Sequence, residues 1–125
     1  MKTRLIQPSD FPKMYKLWQT AGLKIKSFQI EKKEALSIIK KNTSSCFILE
    51  HDRKIIGNVF GAFNGRRGWI YHLVIHPKYQ RRGYGSILLQ KAEKALYTMG
   101  TTRVLLGVWM SDKKYYRFIK KADIL

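Results

Sequence analysis

The stretch "IHPKYQRRGYGSILLQ", residues 75–90, constrains the fold more than any other part of the chain. An apolar, strand-like run stops at His76-Pro77, passes through "QRRGYG", and gives way to apolar residues at helical spacing. A strand that feeds a glycine-containing turn and then a helix aims several backbone N–H groups at one point, with the positive end of the helix dipole behind them. Gly83 and Gly85 remove the Cβ atoms that would keep a ligand at a distance, and Arg81 and Arg82 add charge at the rim. The turn is therefore a candidate socket for phosphate oxygens. The same residues are also compatible with a plain strand-to-helix turn carrying solvated arginines.

The periods on either side supply the rest of the architecture. "TRLI" (3–6) reads as a short strand, and "PSDFPKMYKLWQTAG" as a helix with Ser9 or Asp10 at its N-cap, Pro12 in its first turn and Gly22 as its stop. Met14, Leu17, Trp18 and Ala21 fall on one face. A second helix from about Glu31 to Lys41 buries Ala35, Leu36, Ile38 and Ile39, and "LKIKSFQI" between the two helices reads as loop. "CFILE", "KIIGNVFGAF" and "WIYHLVI" then read as three strands of an antiparallel meander, the last two joined by a turn built on Asn64-Gly65. A helix over 83–99 with Leu88, Ala92, Ala95, Leu96 and Met99 inward ends at Gly100, which suits the left-handed C-terminal position. "RVLLGVW" (103–109) is a further strand and "SDKKYYRFIKK" a last helix. The order βααβββαβα, without linker or repeat, makes residues 1–125 a single α+β domain.

Composition enters as a set of limits. With 45% apolar residues the chain can build a real core. Cys46, the only cysteine, excludes an internal disulfide or multi-cysteine metal cluster and reads as a buried, reduced thiol, so no metal and a reducing, cytoplasmic setting are expected. No apolar run approaches the roughly 18 residues of a membrane span, and no signal peptide is visible. The 25 Lys and Arg against 8 Asp and Glu give a net charge of +17, a field that draws in anionic cofactors, acidic surfaces or nucleic acid. The basic residues are scattered rather than gathered in one stripe, which argues against a dedicated nucleic-acid surface.

The span "LVIHPKYQRRGYGSILLQKAE" resembles the central motif of the GNAT superfamily of N-acetyltransferases, in which a strand of the form L-x-V-x-P runs into Q/R-x-x-G-x-G/A and a helix. Gln80 fills the first position, Arg81 and Arg82 the variable pair, Gly83 the first glycine, Tyr84 the spacer and Gly85 the last. The order of elements from residue 3 to about 120 is also similar to that superfamily, and within it the small stand-alone bacterial acetyltransferases are the nearest in style. The resemblance implies a mostly antiparallel sheet flanked by helices and acetyl-CoA as cosubstrate. It also implies the cofactor contacts: the motif turn from Gln80 onward, with pyrophosphate on the backbone amides of Arg81, Arg82, Gly83, Tyr84, Gly85 and Ser86, and the pantetheine arm along the strand edge at Leu73, Val74 and Ile75.

Acetyl transfer to an amine requires an uncharged nucleophile, a polarised thioester carbonyl and a proton for the departing thiolate. A backbone N–H near Val74 is a candidate for polarising the carbonyl. Members of the family commonly carry a glutamate on the motif strand or on the strand after the motif helix. Neither "WIYHLVI" nor "RVLLGVW" holds a carboxylate, and Gly107 stands where some relatives have the acid. His72, with a reference pKa of about 6.5, is the candidate base, with Tyr71 next. The family's general acid is a tyrosine on the last helix. An ungapped alignment of "DKKYYRFIKKADIL" puts Asp112 at a cofactor-binding asparagine position, Ile119 at the tyrosine and Asp123 at a glycine, whereas a gapped one makes Tyr116 the acid with Tyr115 beside it.

Relatives usually add two more strands, so the chain looks shortened at its C-terminus, and the resulting edge of "RVLLGVW" is expected either to be covered by a second copy or to mark a truncated relative. Three functions compete: acetyl transfer to a primary amine on a peptide or small molecule, the positive charge favouring an acidic carrier; an acyl-CoA-binding module that has lost its proton-transfer groups; and a nucleic-acid binder. The acceptor has no readable motif.

Overall fold

A computed structural model describes residues 1–106. The strands β1 (Lys2–Leu5), β2 (Phe47–His51), β3 (Lys54–Phe63), β4 (Gly68–Ile75) and β5 (Val104–Leu106) form one sheet in chain order. β2 to β4 pair antiparallel, as the meander expected, β1 joins β2 antiparallel, and β5 joins β4 in parallel through Gly68–Ile70. The helices are α1 (Phe11–Thr20), α2 (Phe28–Lys41) and α3 (Tyr84–Thr98), with one-turn 3₁₀ segments at Pro8–Asp10 and Pro77–Tyr79. The order βααβββαβ matches the expectation as far as residue 106, while the remainder of the fifth strand, the last helix and the short tail lie outside the described residues.

Alternation along the strands sends side chains to two cores. On one face, Ile48, Phe60 and Val74 meet Phe11, Met14, Leu17 and Trp18 of α1 and Ala35 and Ile39 of α2. On the other, Leu49, Ile56, Val59, Ile70 and Leu73 meet Leu88, Leu89, Ala92 and Leu96 of α3. Each buried Leu or Ile stabilises the fold by about 1.5–3 kcal/mol relative to exposure. Cys46 is buried in the first core, its Sγ 3.6 Å from the Gly61 carbonyl. Burial pushes its thiol up to about 11, so it stays protonated as an inert core thiol.

Local chemistry sets the ends of the helices. The second helix begins at Phe28 rather than near Glu31, because the Ser27 side chain accepts from the Ile30 N–H at 3.4 Å as an N-cap. Phe28 packs edge-on against Phe11 and Tyr15, with centroids 5.1 Å away in both cases, so the last residues of "LKIKSFQI" are helix. Before α1, Asp10 closes the 3₁₀ turn instead of capping the helix by its side chain: its carboxylate accepts from Gln7 N–H at 2.7 Å and from both terminal nitrogens of Arg4 at 2.8 and 2.9 Å. Gly100, at φ +110°, ends α3 as expected, with Thr101 N–H reaching back to Leu96 O.

Candidate active site

Two features of β4 and its exit bear on the candidate site. The first is the turn. After the 3₁₀ segment, Gln80 is extended, Arg81 has φ +64° and Gly83, the N-cap of α3, has φ +85°. Left-handed residues placed two apart turn successive peptide units toward one side, the geometry of an anion-binding nest. Among the described residues the backbone N–H groups of Arg81 to Ser86 have no carbonyl partner, and the helix ladder begins with Ile87 N–H on Gly83 O at 3.2 Å. Arg81, Arg82 and Gly83 are exposed, and Tyr84, Gly85 and Ser86 half-buried. The Arg82 guanidinium lies over the Tyr79 ring, 5.7 Å from its centroid, which holds the charge at the rim. The Gln80 amide donates to Ile75 O at 2.9 Å, so this side chain ties the turn to the end of β4.

The second feature is the strand itself. His76 N–H donates to Ile56 O at 2.7 Å. Alternation in an antiparallel ladder then directs the polar backbone groups of residues 74 and 76 at β3, and those of 73 and 75 to the opposite edge. Leu73 and Ile75 therefore present their backbone to the β5 side, while the Val74 amide faces β3. Their side chains are core: Leu73 and Ile75 join the α3 cluster and Val74 the α1–α2 cluster.

Between Tyr71 and Val74 the register slips by one residue against β3: Phe60 pairs with Tyr71 and Asn58 with Val74. This is a β-bulge, and its extra residue is His72, at φ +47°. The slip puts two consecutive side chains, Tyr71 and His72, on the α1–α2 face. The His72 ring packs 4.7 Å from Trp18 and 5.5 Å from Phe60, centroid to centroid. Burial lowers its pKa, opposed by the negative field of Glu31 and Glu34 on α2, and the imidazole is neutral at pH 7. A neutral imidazole is the form that can take a proton. Tyr71 stacks on Trp69 at 6.2 Å. The candidates Asp112, Tyr115, Tyr116 and Gly107, and with them Ile119 and Asp123, lie outside the described residues.

Sequence reasoning passed over Asn58. Its side chain is fully buried, with Oδ1 accepting from Trp18 Nε1 at 2.8 Å and Nδ2 donating to His72 O at 3.0 Å. The available signal was an amide inside the apolar run "KIIGNVFGAF".

A curated relative from Yersinia pestis (strain Pestoides F), named "Acetyltransferase", is 27% identical over 123 residues, covering 98% of this chain and 86% of the relative. Ard1 from Thermoplasma volcanium superposes with a TM-score of 0.83 at 19% identity, over 96% of this chain and 79% of that one. The PaiA N-acetyltransferase from Thermoplasma acidophilum, solved in complex with coenzyme A, superposes at 0.76 with 18% identity, over 97% of this chain and 88% of that one. Residues 9–123 match the acetyltransferase (GNAT) family model, a span that contains both the bulged strand and the turn, and the chain belongs to that family.

Proposed function

We propose that the protein is an N-acetyltransferase that moves an acetyl group from acetyl-CoA to a primary amine. The observation that carries this reading is the nest of backbone N–H groups over residues 81–86, at the mouth of α3 and next to the outward edge of β4. A pyrophosphate fits these amides, and Arg81 and Arg82 complement its charge. By the family pattern, the pantetheine arm runs along the strand at Leu73, Val74 and Ile75, in the manner of an added strand. When bound, acetyl-CoA supplies the acetyl group as an activated thioester. His72 accepts the proton that the attacking amine must lose, directly or through a water. Tyr116 is the proposed donor of a proton to the leaving sulfur, and Asp112 a further contact for the cofactor, both by the family pattern.

Calorimetry tests the cofactor and a thiol-release assay the reaction. Coenzyme A titrated into the folded protein should bind at one site, and the Gly83→Val variant should bind it much more weakly. Thiol release from acetyl-CoA in the presence of an amine panel then separates acetyl transfer from a binding-only module. An absence of binding heat would remove the reading altogether.

A further inference from the structure

Asn58 is buried where α1, β3 and β4 meet, and both ends of its amide are engaged far from it in sequence, with Trp18 and with His72. The apolar pattern explains why β4 needs an extra residue: Ile70 and Leu73 both face α3, although three positions apart, so one residue between them must break the alternation. That pattern does not decide whether Tyr71 or His72 breaks it. A left-handed conformation costs a non-glycine residue about 1–2 kcal/mol, and leaving a buried amide donor unpaired costs about 1–3 kcal/mol. In the observed left-handed turn at His72 its carbonyl meets Asn58 Nδ2 at 3.0 Å, so the bond and the bulge occur together. Because the peptide is planar, anchoring this oxygen fixes the whole 72–73 unit.

We infer that Asn58 is a positioning residue: it selects His72 as the bulged residue of β4, and so aims the imidazole at the α1–α2 face while holding residues 73 to 75 in phase with the turn that follows. The consequence for catalysis rests on the proposed acetyl transfer, whereas the conformational claim does not. His72 feels the charges of Glu31 and Glu34 on α2 and packs against the rings of Trp18 on α1 and Phe60 on β3, and Asn58→Leu leaves both charges and both rings in place.

The test follows the His72 ring by NMR across pH in the wild type, Asn58→Leu and Asn58→Asp. Asn58→Asp keeps the size and the acceptor for Trp18 and loses the donor to His72 O. In Asn58→Leu the His72 midpoint should move up toward the ordinary histidine value as the ring leaves its packed site, and the added carboxylate of Asn58→Asp should move it up further. With an amine that the wild type acetylates, kcat should fall about 10²-fold in both variants, the usual effect of a small misplacement, while KM for acetyl-CoA changes less. An unchanged midpoint and rate, with only a lower melting temperature, would make Asn58 a core residue and overturn the inference. Should neither variant fold, the wild type decides: slowly exchanging Asn58 side-chain protons and a left-handed His72 backbone support it, and rapid exchange or an extended His72 overturns it. A wild type that neither binds coenzyme A nor turns over defeats the acetyl-transfer reading, yet the His72 midpoint still tests Asn58.

Discussion

The histidine on the motif strand shows how one backbone angle decides what a side chain can do. Were β4 regular, His72 would share the α3 face with Ile70, away from Trp18 and α2. In the bulge it lies against Trp18, neutral and half-buried. The sign of the pH effect follows from the lowered pKa. In the unfolded chain the imidazole titrates near 6.5, so between that pH and the lower folded midpoint the unfolded state binds more protons. The stability contributed by a neutral His72 is complete above about 6.5 and is lost as the pH falls through the folded midpoint. His72→Gln should therefore flatten the acid side of the stability profile, as seen in urea midpoints measured between pH 7 and 4. If the imidazole is the base, the same variant lowers kcat by about 10²–10⁴-fold. It also removes the acid limb of the rate profile. A variant with wild-type kcat and an unaltered acid limb would assign the proton to another group.

At the scale of elements, close approach of backbones sets the sheet. An added Cβ on Gly61 would stand 2.6 Å from Ser45 O, a backbone atom that cannot swing away, since Gly61 N–H is itself bonded to that oxygen at 3.0 Å. Gly61→Ala should destabilise the protein by about 1–3 kcal/mol, the usual cost of overpacking. A chemical denaturation curve displaced by that amount, with an unchanged slope, is the expected result. Gly83 is a different case: a Cβ there meets no atom within 4 Å, and the cost comes from φ +85° alone. Gly83→Ala should thus be mild in stability and larger in coenzyme A affinity, because relaxing the angle turns the amides of the nest. These positions also mark what could be read from sequence. The turn 80–85 and its helix were legible because motif, punctuation and periodicity agree over contiguous residues. Ser27 was hidden because Phe28 and Ile30 do not share a helical face, one packing inward and the other exposed. The bulge and the Asn58 bridge are relations between segments: Trp18 and His72 lie 40 and 14 residues from Asn58, and no local pattern announces either bond.

For the whole molecule the governing quantity is charge. At +17, a chain of 125 residues attracts a polyphosphate from well beyond contact distance, yet only charges near the site are held at fixed distance from a bound ligand. Screening separates the two contributions, because the Debye length shrinks from about 10 Å at 0.1 M salt to about 3 Å at 1 M. The nest amides act at hydrogen-bond range and should resist salt, while the diffuse field of scattered lysines should not. Coenzyme A affinity should accordingly fall by about tenfold, or 1.4 kcal/mol, as salt rises over that range, and then level off. The Arg81→Ala, Arg82→Ala double variant should bind more weakly at low salt, show a shallower salt dependence, and converge on the wild type at the high-salt plateau. Calorimetric titrations at four or five salt concentrations distinguish the cases. A plateau lost in the double variant would mean that the arginines hold the diphosphate themselves. Identical slopes in the two proteins would instead assign the salt dependence to the remainder of the chain, with the rim arginines solvated as in an ordinary strand-to-helix turn.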